Sequence, residues 1–517
     1  MNCCKKVILL CIALLSSTML FASCSDKNLK ETIEEATNQV SIYVSTDGLD
    51  SNPGTKSAPL RTIAKGLQLA KGGDTVFVRQ GIYSEKVLMT KSGSSGKEIT
   101  LKAYLGEKPV IDGTGMTVVG SEALVTIRNA SFFTLEGFEI CNLKSASSGV
   151  DVNGIVVDQG SGGVKVLKNR VHHIENNARP EDGRSGHGIL VLGNTEVAMK
   201  NIIIEGNEIY DCNTGYSENL TVNGYVDGFI LRKNKVYNGE NIGIVAAGGY
   251  AANPNPAYNY VRNGLITENE VYGIDGTTGP IPAYSEHNGA IGIYIDGAKS
   301  IIVERNSIHD SGRGIGIVSE TDNFPTSDCI VRNNLIYNNS LAGISLGGYL
   351  NYTGGGTYNC YVVNNTLYNN SKVNGYFGEV EGEIRLTENC FDNVIRNNLI
   401  YAGADRVYIH KYTETGYGNI LGHNLYYSIS GGKWVWNGQA YLNFISWKSA
   451  LAGDDGSIDN IDPSFFNVAE RKFHIQVPSV AKNSGAIISA NIQGVVDKDG
   501  NPRIVNNNID IGAYELP

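Results

Sequence analysis

Apolar residues fall on alternate positions in short runs along most of the chain, and many of these runs close on an asparagine. The phrase reads Val164-Lys-Val-Leu-Lys-Asn169, Ile202-Ile-Ile-Glu-Gly-Asn207, Phe229-Ile-Leu-Arg-Lys-Asn234 and Gly264-Leu-Ile-Thr-Glu-Asn269. It continues through Asn306, Asn334, Asn365 and Asn398, with a weaker copy ending at Asn424. Successive asparagines are 26 to 38 residues apart, and a strand-sized unit at such a period is the signature of a stacked solenoid. A second short strand follows each copy, as in Glu208-Ile-Tyr210 and Leu335-Ile-Tyr337, and another precedes it, as in Gly292-Ile-Tyr-Ile295. Three short strands per turn predict a single all-β parallel β-helix. The asparagines would form one side-chain amide ladder, each bonded to its neighbours above and below.

The ends depart from the repeat, as solenoid ends must to stay soluble. Leu60, Ile63, Leu67 and Leu69 have helical spacing and predict a capping helix within Ser57–Gln68. After about Tyr427 the repeat fades into a segment holding Trp434, Trp436 and Trp447. The reading divides the chain into a leader at 1–24, a tether at 25–40, the β-helix at 41–430 and a tail at 431–517 that caps the last coil.

Composition agrees with many strands and tight turns: 62 Gly and 28 Tyr against 13 Pro. A net charge of −10 argues against a nucleic-acid partner, which needs a basic face. At the N-terminus, Lys5 and Lys6 precede an apolar run from Val7 to Leu20 and then Phe21-Ala-Ser-Cys24, which looks like a bacterial lipobox. It implies export, lipidation of Cys24, and a membrane association limited to that anchor on an otherwise monomeric protein. The remaining cysteines, Cys141, Cys212, Cys329, Cys360 and Cys390, are odd in number and show no CxxC spacing, so buried free thiols are expected. Cys329 and Cys360 fall in one inward column.

The stretches Tyr43-Val-Ser-Thr-Asp-Gly48, Ala58-Pro-Leu-Arg-Thr-Ile63 and Gly73-Asp-Thr-Val-Phe-Val78 resemble the N-terminal region of secreted right-handed β-helix proteins of the pectin-lyase type. These include pectate and rhamnogalacturonan lyases of polysaccharide lyase family nine. The ending Asp510-Ile-Gly-Ala-Tyr-Glu515 resembles a C-terminal module found on such proteins. The resemblance implies the fold and a polysaccharide substrate. That family uses a calcium site of clustered aspartates and a lysine base; here only Asp227 in Val226-Asp-Gly228 is acidic, and no lysine corresponds.

Candidate chemistry comes from aligning the strands that precede the ladder phrase. With Gly292-Ile-Tyr-Ile-Asp296 set beside Gly316-Ile-Val-Ser-Glu320, Asp296 and Glu320 become adjacent rungs of one outward column, with strands about 4.8 Å apart. Two carboxyls so close should raise one pKa or share a cation such as Ca²⁺. Their spacing also suits a retaining glycosidase, and the pairing looks like that of β-helix β-xylosidases of glycoside hydrolase family one hundred and twenty. The same alignment places Tyr294, Arg385, Tyr408 and His410 outward. Arg385 would meet a uronate carboxylate or act as base, with Lys411 a second candidate base. His187, Glu218, Asp227 and His287 are expected near the same groove as substrate-binding groups, and Tyr250, Tyr258, Tyr260 and Tyr284 of two bordering loops as platforms for sugar rings. The leading expectation is β-elimination of a uronate-containing glycan. The alternatives are retaining glycoside hydrolysis by Asp296 and Glu320, and glycan binding without catalysis.

Overall fold

In the computed structural model the described residues are 40–179, 182–284, 287–349, 354–375, 378 and 380–516. The leader, Cys24 and the tether lie outside them. From Ser41 onward the chain winds into three long sheets, almost every neighbouring pair of strands parallel and in consecutive coils. The ladder sheet has 16 strands, beginning at Ser41–Val44 and reaching Ile420–Gly422. The site sheet has 13, from Val87–Met89 to Gln439–Tyr441, and the tyrosine sheet has 13, from Ile82–Tyr83 to Ile458–Asp459. The alternation in the sequence sets what fills the coil. In Asp151–Asp158, Ile155 and Val157 are fully buried within it, whereas Asp158 accepts an ion pair from Arg128 at 2.8 Å.

The asparagine ladder forms as the repeat predicts. Asn207 Oδ1 accepts from the backbone N–H and the side-chain amide of Asn169, at 2.9 and 3.1 Å, and the same double contact recurs through Asn234, Asn269, Asn306, Asn334, Asn365, Asn398 and Asn424. The residue before each ladder asparagine turns the corner with positive φ, among them Lys233 at 55° and Arg305 at 57°. Such turns strain ordinary residues, and the buried amide contacts hold them. All five cysteines of the described chain are free and buried, and Cys360 Sγ lies 3.4 Å from the backbone N–H of Cys329.

Three boundaries differ from expectation. The capping helix spans only Ile63–Leu69, because Thr62 caps it, its side chain accepting from the N–H of Lys65, while Leu60 is spent on backbone bonds to Tyr43 and Ser45. The β-helix also runs past residue 430. Lys433–Trp436 pairs in parallel with Val407–Lys411, and Trp434 and Trp447 fill the end of the core. Finally, the tail divides: its first part covers the last coil, where the buried Trp447 on the helix Phe444–Leu451 closes the core, and the rest leaves that end. It runs back along the outside, where Asn333 donates to Val496 O, Asn397 to Ala486 O, and Gly512 N–H to Asn397 O.

Candidate functional site

The outward face of the site sheet carries, in register across successive strands, Thr221, Val245, Tyr294, Gly316, Ser345, Arg385 and His410. Two alignments from sequence are corrected by one pair of residues each. Asp296 faces Val318, not Glu320, because Gly314 rather than Gly316 is the counterpart of Gly292. His410, not Tyr408, faces Arg385; a bulge between Val407 and His410 turns Tyr408 in against Trp434 and Tyr426. An error of two residues preserves which face a side chain occupies, so Glu320 still joins the groove.

Glu320 lies just beyond the strand Arg313–Ser319, and its backbone N–H donates to Asp296 Oδ1 at 2.9 Å. Tyr250, from the loop after Ile242–Ala247, donates its hydroxyl to Asp296 Oδ2 and also stands 3.5 Å from Glu320 Oε2. Tyr294 donates to Glu320 Oε1 at 2.6 Å. One phenol oxygen contacting both carboxyls keeps their nearest oxygens within two hydrogen-bond lengths. That bound lies below the roughly 6.5–9.5 Å of inverting glycosidase pairs and admits the roughly 5–5.5 Å of retaining ones. Asp296 is buried, and burial, with the charge of Glu320 next, pushes its carboxyl up to about 8. Tyr294 is buried too, and burial raises its phenol well above the ordinary range.

Two coils toward the N-terminus, Glu218, Thr221 and His187 form a linked group. The Thr221 hydroxyl donates to Glu218 Oε2 at 3.0 Å, and His187 Nδ1 lies 2.8 Å from Thr221 Oγ1 and 3.4 Å from Glu218 Oε2. Burial raises Glu218 to about 7, with the Glu320 charge adding to it, and burial lowers His187 to about 4. Glu218 is close enough for its charge to act on Asp296, and His187 stands against Glu218.

Arg385 is ion-paired to Glu381 at 2.5 Å, and Arg313 donates to the same carboxylate at 2.9 Å. Burial works to raise Glu381, but the two arginines outweigh it and hold it at about 2. Lys411 is buried at the end of the coil, donating to Asn437 Oδ1 at 2.8 Å. Asp227 opens a strand of the ladder sheet and accepts from Asn263 at 2.6 Å. His287 is exposed on the segment leading into Ile291–Asp296. Of the loop tyrosines, Tyr258 stacks on Tyr225 at 4.3 Å, Tyr260 lies under Arg262 at 3.7 Å, and Tyr284 donates to Asn241 at 2.6 Å; only Tyr250 reaches the pair. Sequence reasoning missed Arg313 and Glu381. The doubled Gly-Ile step of Arg313-Gly-Ile-Gly-Ile317 was the signal that would have set the register and exposed Arg313 as a neighbour.

The carboxyl pair does not fit calcium. Asp296 and Glu320 are met by O–H and N–H donors from Tyr250, Tyr294 and the Glu320 backbone, whereas a calcium site needs oxygen lone pairs converging from its other ligands.

The family model described as Pel9A-like, right handed beta helix region matches residues 42–379. The chain belongs to this family. It is 33% identical over 444 residues to the uncharacterized protein YwoF of Bacillus subtilis, covering 85% of this chain and 92% of that one. It is 36% identical over 91 residues to the pectate lyase PEL9 of Emericella nidulans, 17% of this chain and 22% of that one. Among solved structures, the complex of XylC with xylose superposes with a TM-score of 0.54 at 12% identity, covering 92% of this chain and 98% of that chain. At that identity the likeness concerns the fold.

Proposed function

We propose that the protein is an exported, lipid-anchored glycoside hydrolase that cleaves a polysaccharide or oligosaccharide with retention, using Asp296 and Glu320. The observation that carries this reading is the Tyr250-bridged carboxyl pair, in which burial raises Asp296 to about 8, so that this member keeps its proton at neutral pH. Retention needs that charge state. One carboxyl gives its proton to the glycosidic oxygen as the bond from anomeric carbon to that oxygen breaks; the other, as carboxylate, attacks the anomeric carbon and forms a covalent ester. Water then attacks the same carbon, its proton passes to the first carboxylate, and the ester oxygen leaves with its electron pair. Glu218 and His187 lie where they would bind sugar hydroxyls. The lipobox-like segment ending at Cys24 supports the location, and one chain carries the whole pair, so a monomer suffices.

The β-elimination reading draws on the pectate lyase relative, but it needs a base, and the two arginines of this face converge on Glu381. The test incubates the purified protein with pectic, other uronate-containing and neutral glycans. It follows reducing ends and unsaturated-uronide absorbance, then traps the enzyme with activated 2-deoxy-2-fluoro glycosides for peptide mass spectrometry. Reducing ends without absorbance, and an adduct on Asp296 or Glu320, support the proposal and name the nucleophile. Absorbance would replace it with a lyase, and no product from any glycan that binds would replace it with a binding protein.

A further inference from the structure

The tyrosine sheet carries a second constellation that the carboxyl pair does not use. Cys141, Glu139 and His172 lie on adjacent strands, Glu139–Cys141 and Arg170–His172, with His172 directly facing Cys141 and Arg170 facing Glu139. One ligating atom from each, the thiol sulfur, a carboxylate oxygen and a ring nitrogen, all fall within 4.8 Å of one another. His172 Nε2 is 3.4 Å from Glu139 Oε1, yet it is a buried nitrogen with no hydrogen-bond partner among the described residues.

Each of the three groups is held by neighbours of its own. Arg170 Nη1 holds the other Glu139 oxygen at 3.1 Å, which leaves Oε1 turned to His172. Tyr210 stacks on the His172 ring at 4.7 Å and fixes its plane. His172 Nδ1 sits 2.7 Å from His173 Nδ1, so one ring must supply the proton between them. When His172 supplies it, the Nε2 lone pair faces the cluster, the arrangement by which a neighbouring acceptor fixes the tautomer of a metal-bound histidine. Asn142 donates to Cys141 Sγ at 3.3 Å, so the sulfur already stands as an acceptor.

We propose that Glu139, Cys141 and His172 bind a thiophilic divalent cation of the zinc class. A sulfur and an imidazole nitrogen select such an ion over calcium or magnesium, which take oxygen ligands. Ligands in a tetrahedral zinc site are roughly 3.3–3.9 Å apart from the usual bond lengths, so side-chain adjustments of about 1 Å would close the set. Three protein ligands leave a fourth position for water. The two negative ligands, Cys141 as thiolate and Glu139, balance the ion beside Arg170. This site is separate from the carboxyl pair, which lies on a different sheet.

The test strips the purified protein of metal and titrates it with Co²⁺ and with Zn²⁺ alone, reading the thiolate-to-cobalt charge-transfer absorbance and the zinc taken from a chromophoric chelator. The expected result is one equivalent bound with the charge-transfer band, the band lost in Cys141→Ser, and zinc affinity at least tenfold weaker in His172→Ala and Glu139→Gln. Circular dichroism matching the parent protein establishes that each variant is folded. Absence of stoichiometric binding in the parent protein, or a band that survives Cys141→Ser, would overturn the site.

Discussion

The backbone N–H of Glu320 donates to Asp296 Oδ1 at 2.9 Å, although the residue facing Asp296 across the paired strands is Val318. The chain end of one strand thus folds its next carboxyl back onto the preceding coil, and a phenol from a third segment, Tyr250, closes the arrangement. Removing either acid should therefore abolish the same step. Asp296→Asn and Glu320→Gln are each expected to lower kcat by roughly 10²–10⁴-fold with the fold intact. Added azide should restore turnover with inverted product from the variant that lacks the nucleophile. Wild-type turnover in either variant would remove the pair from the mechanism.

The raised Asp296 carboxyl has two consequences for pH. Activity that needs the proton of the pair should fall as pH rises through about 8. For stability, a folded carboxyl near 8 against an ordinary value of 3.8 means that the native state binds the extra proton between those values. Stability from this group is therefore lost as pH rises through that window. Asp296→Asn should remove that slope, so the variant's Tm should gain on the wild type as pH rises from 5 to 8. Parallel Tm curves across that range would contradict the assignment.

Tyr250→Phe keeps the ring and deletes the hydroxyl shared by the two acids. A hydrogen bond to a charged group contributes about 1.5–3 kcal/mol, which predicts roughly a 10- to 100-fold loss in kcat/KM. Since the Tyr250 hydroxyl works to lower the Asp296 carboxyl, the alkaline limb of the pH profile should also move upward. An unchanged profile would show that the phenol acts on substrate alone.

The fold and the groove were legible in the chain to different depths. The spacing of Asn169 through Asn424 specifies the coils because each amide must meet its neighbour, and burial leaves no other partner. Parity was legible as well: Asp296, Glu320, Tyr294 and Arg385 all face outward as expected. Register was harder, since Gly314 and Gly316 both precede isoleucine and a two-residue slip leaves every side chain on its face. Long-range partners were invisible. Nothing local says that Glu381 gathers Arg313 and Arg385, that Tyr250 folds onto Asp296, or that the tail returns along the coils to Asn333 and Asn397.

Gly316 lies beneath the Tyr294 ring, and a Cβ there would stand 2.5 Å from Tyr294 Cδ2. Gly316→Ala should push the ring aside and release its hydroxyl from Glu320 Oε1. Overpacking of this kind costs about 1–3 kcal/mol, so a modest fall in Tm with a larger fall in activity is expected. A loss of activity that Tyr294→Phe reproduces would assign the effect to the phenol, whereas wild-type activity in Gly316→Ala would show that Tyr294 positioning is dispensable.

Asn269 tests the ladder. Its Oδ1 accepts from the backbone and side chain of Asn234, and its Nδ2 donates to Leu231 O at 3.0 Å and Asn306 Oδ1 at 2.9 Å. Asn269→Ala strands the backbone N–H of Asn234, leaves the Asn234 amide with Ile204 O alone, and withdraws a donor from Leu231 O and Asn306 Oδ1, in a position closed to water. At about 1–3 kcal/mol for a stranded buried group, the variant should unfold several degrees lower. Asn269→Asp keeps the acceptor but sets a carboxylate against Leu231 O and Asn306 Oδ1, so it should be the worse of the two at neutral pH and recover as the acid is protonated. Thermal melts of both across pH 4 to 8 distinguish hydrogen-bond loss from cavity formation: a cavity would make the alanine variant worse at every pH.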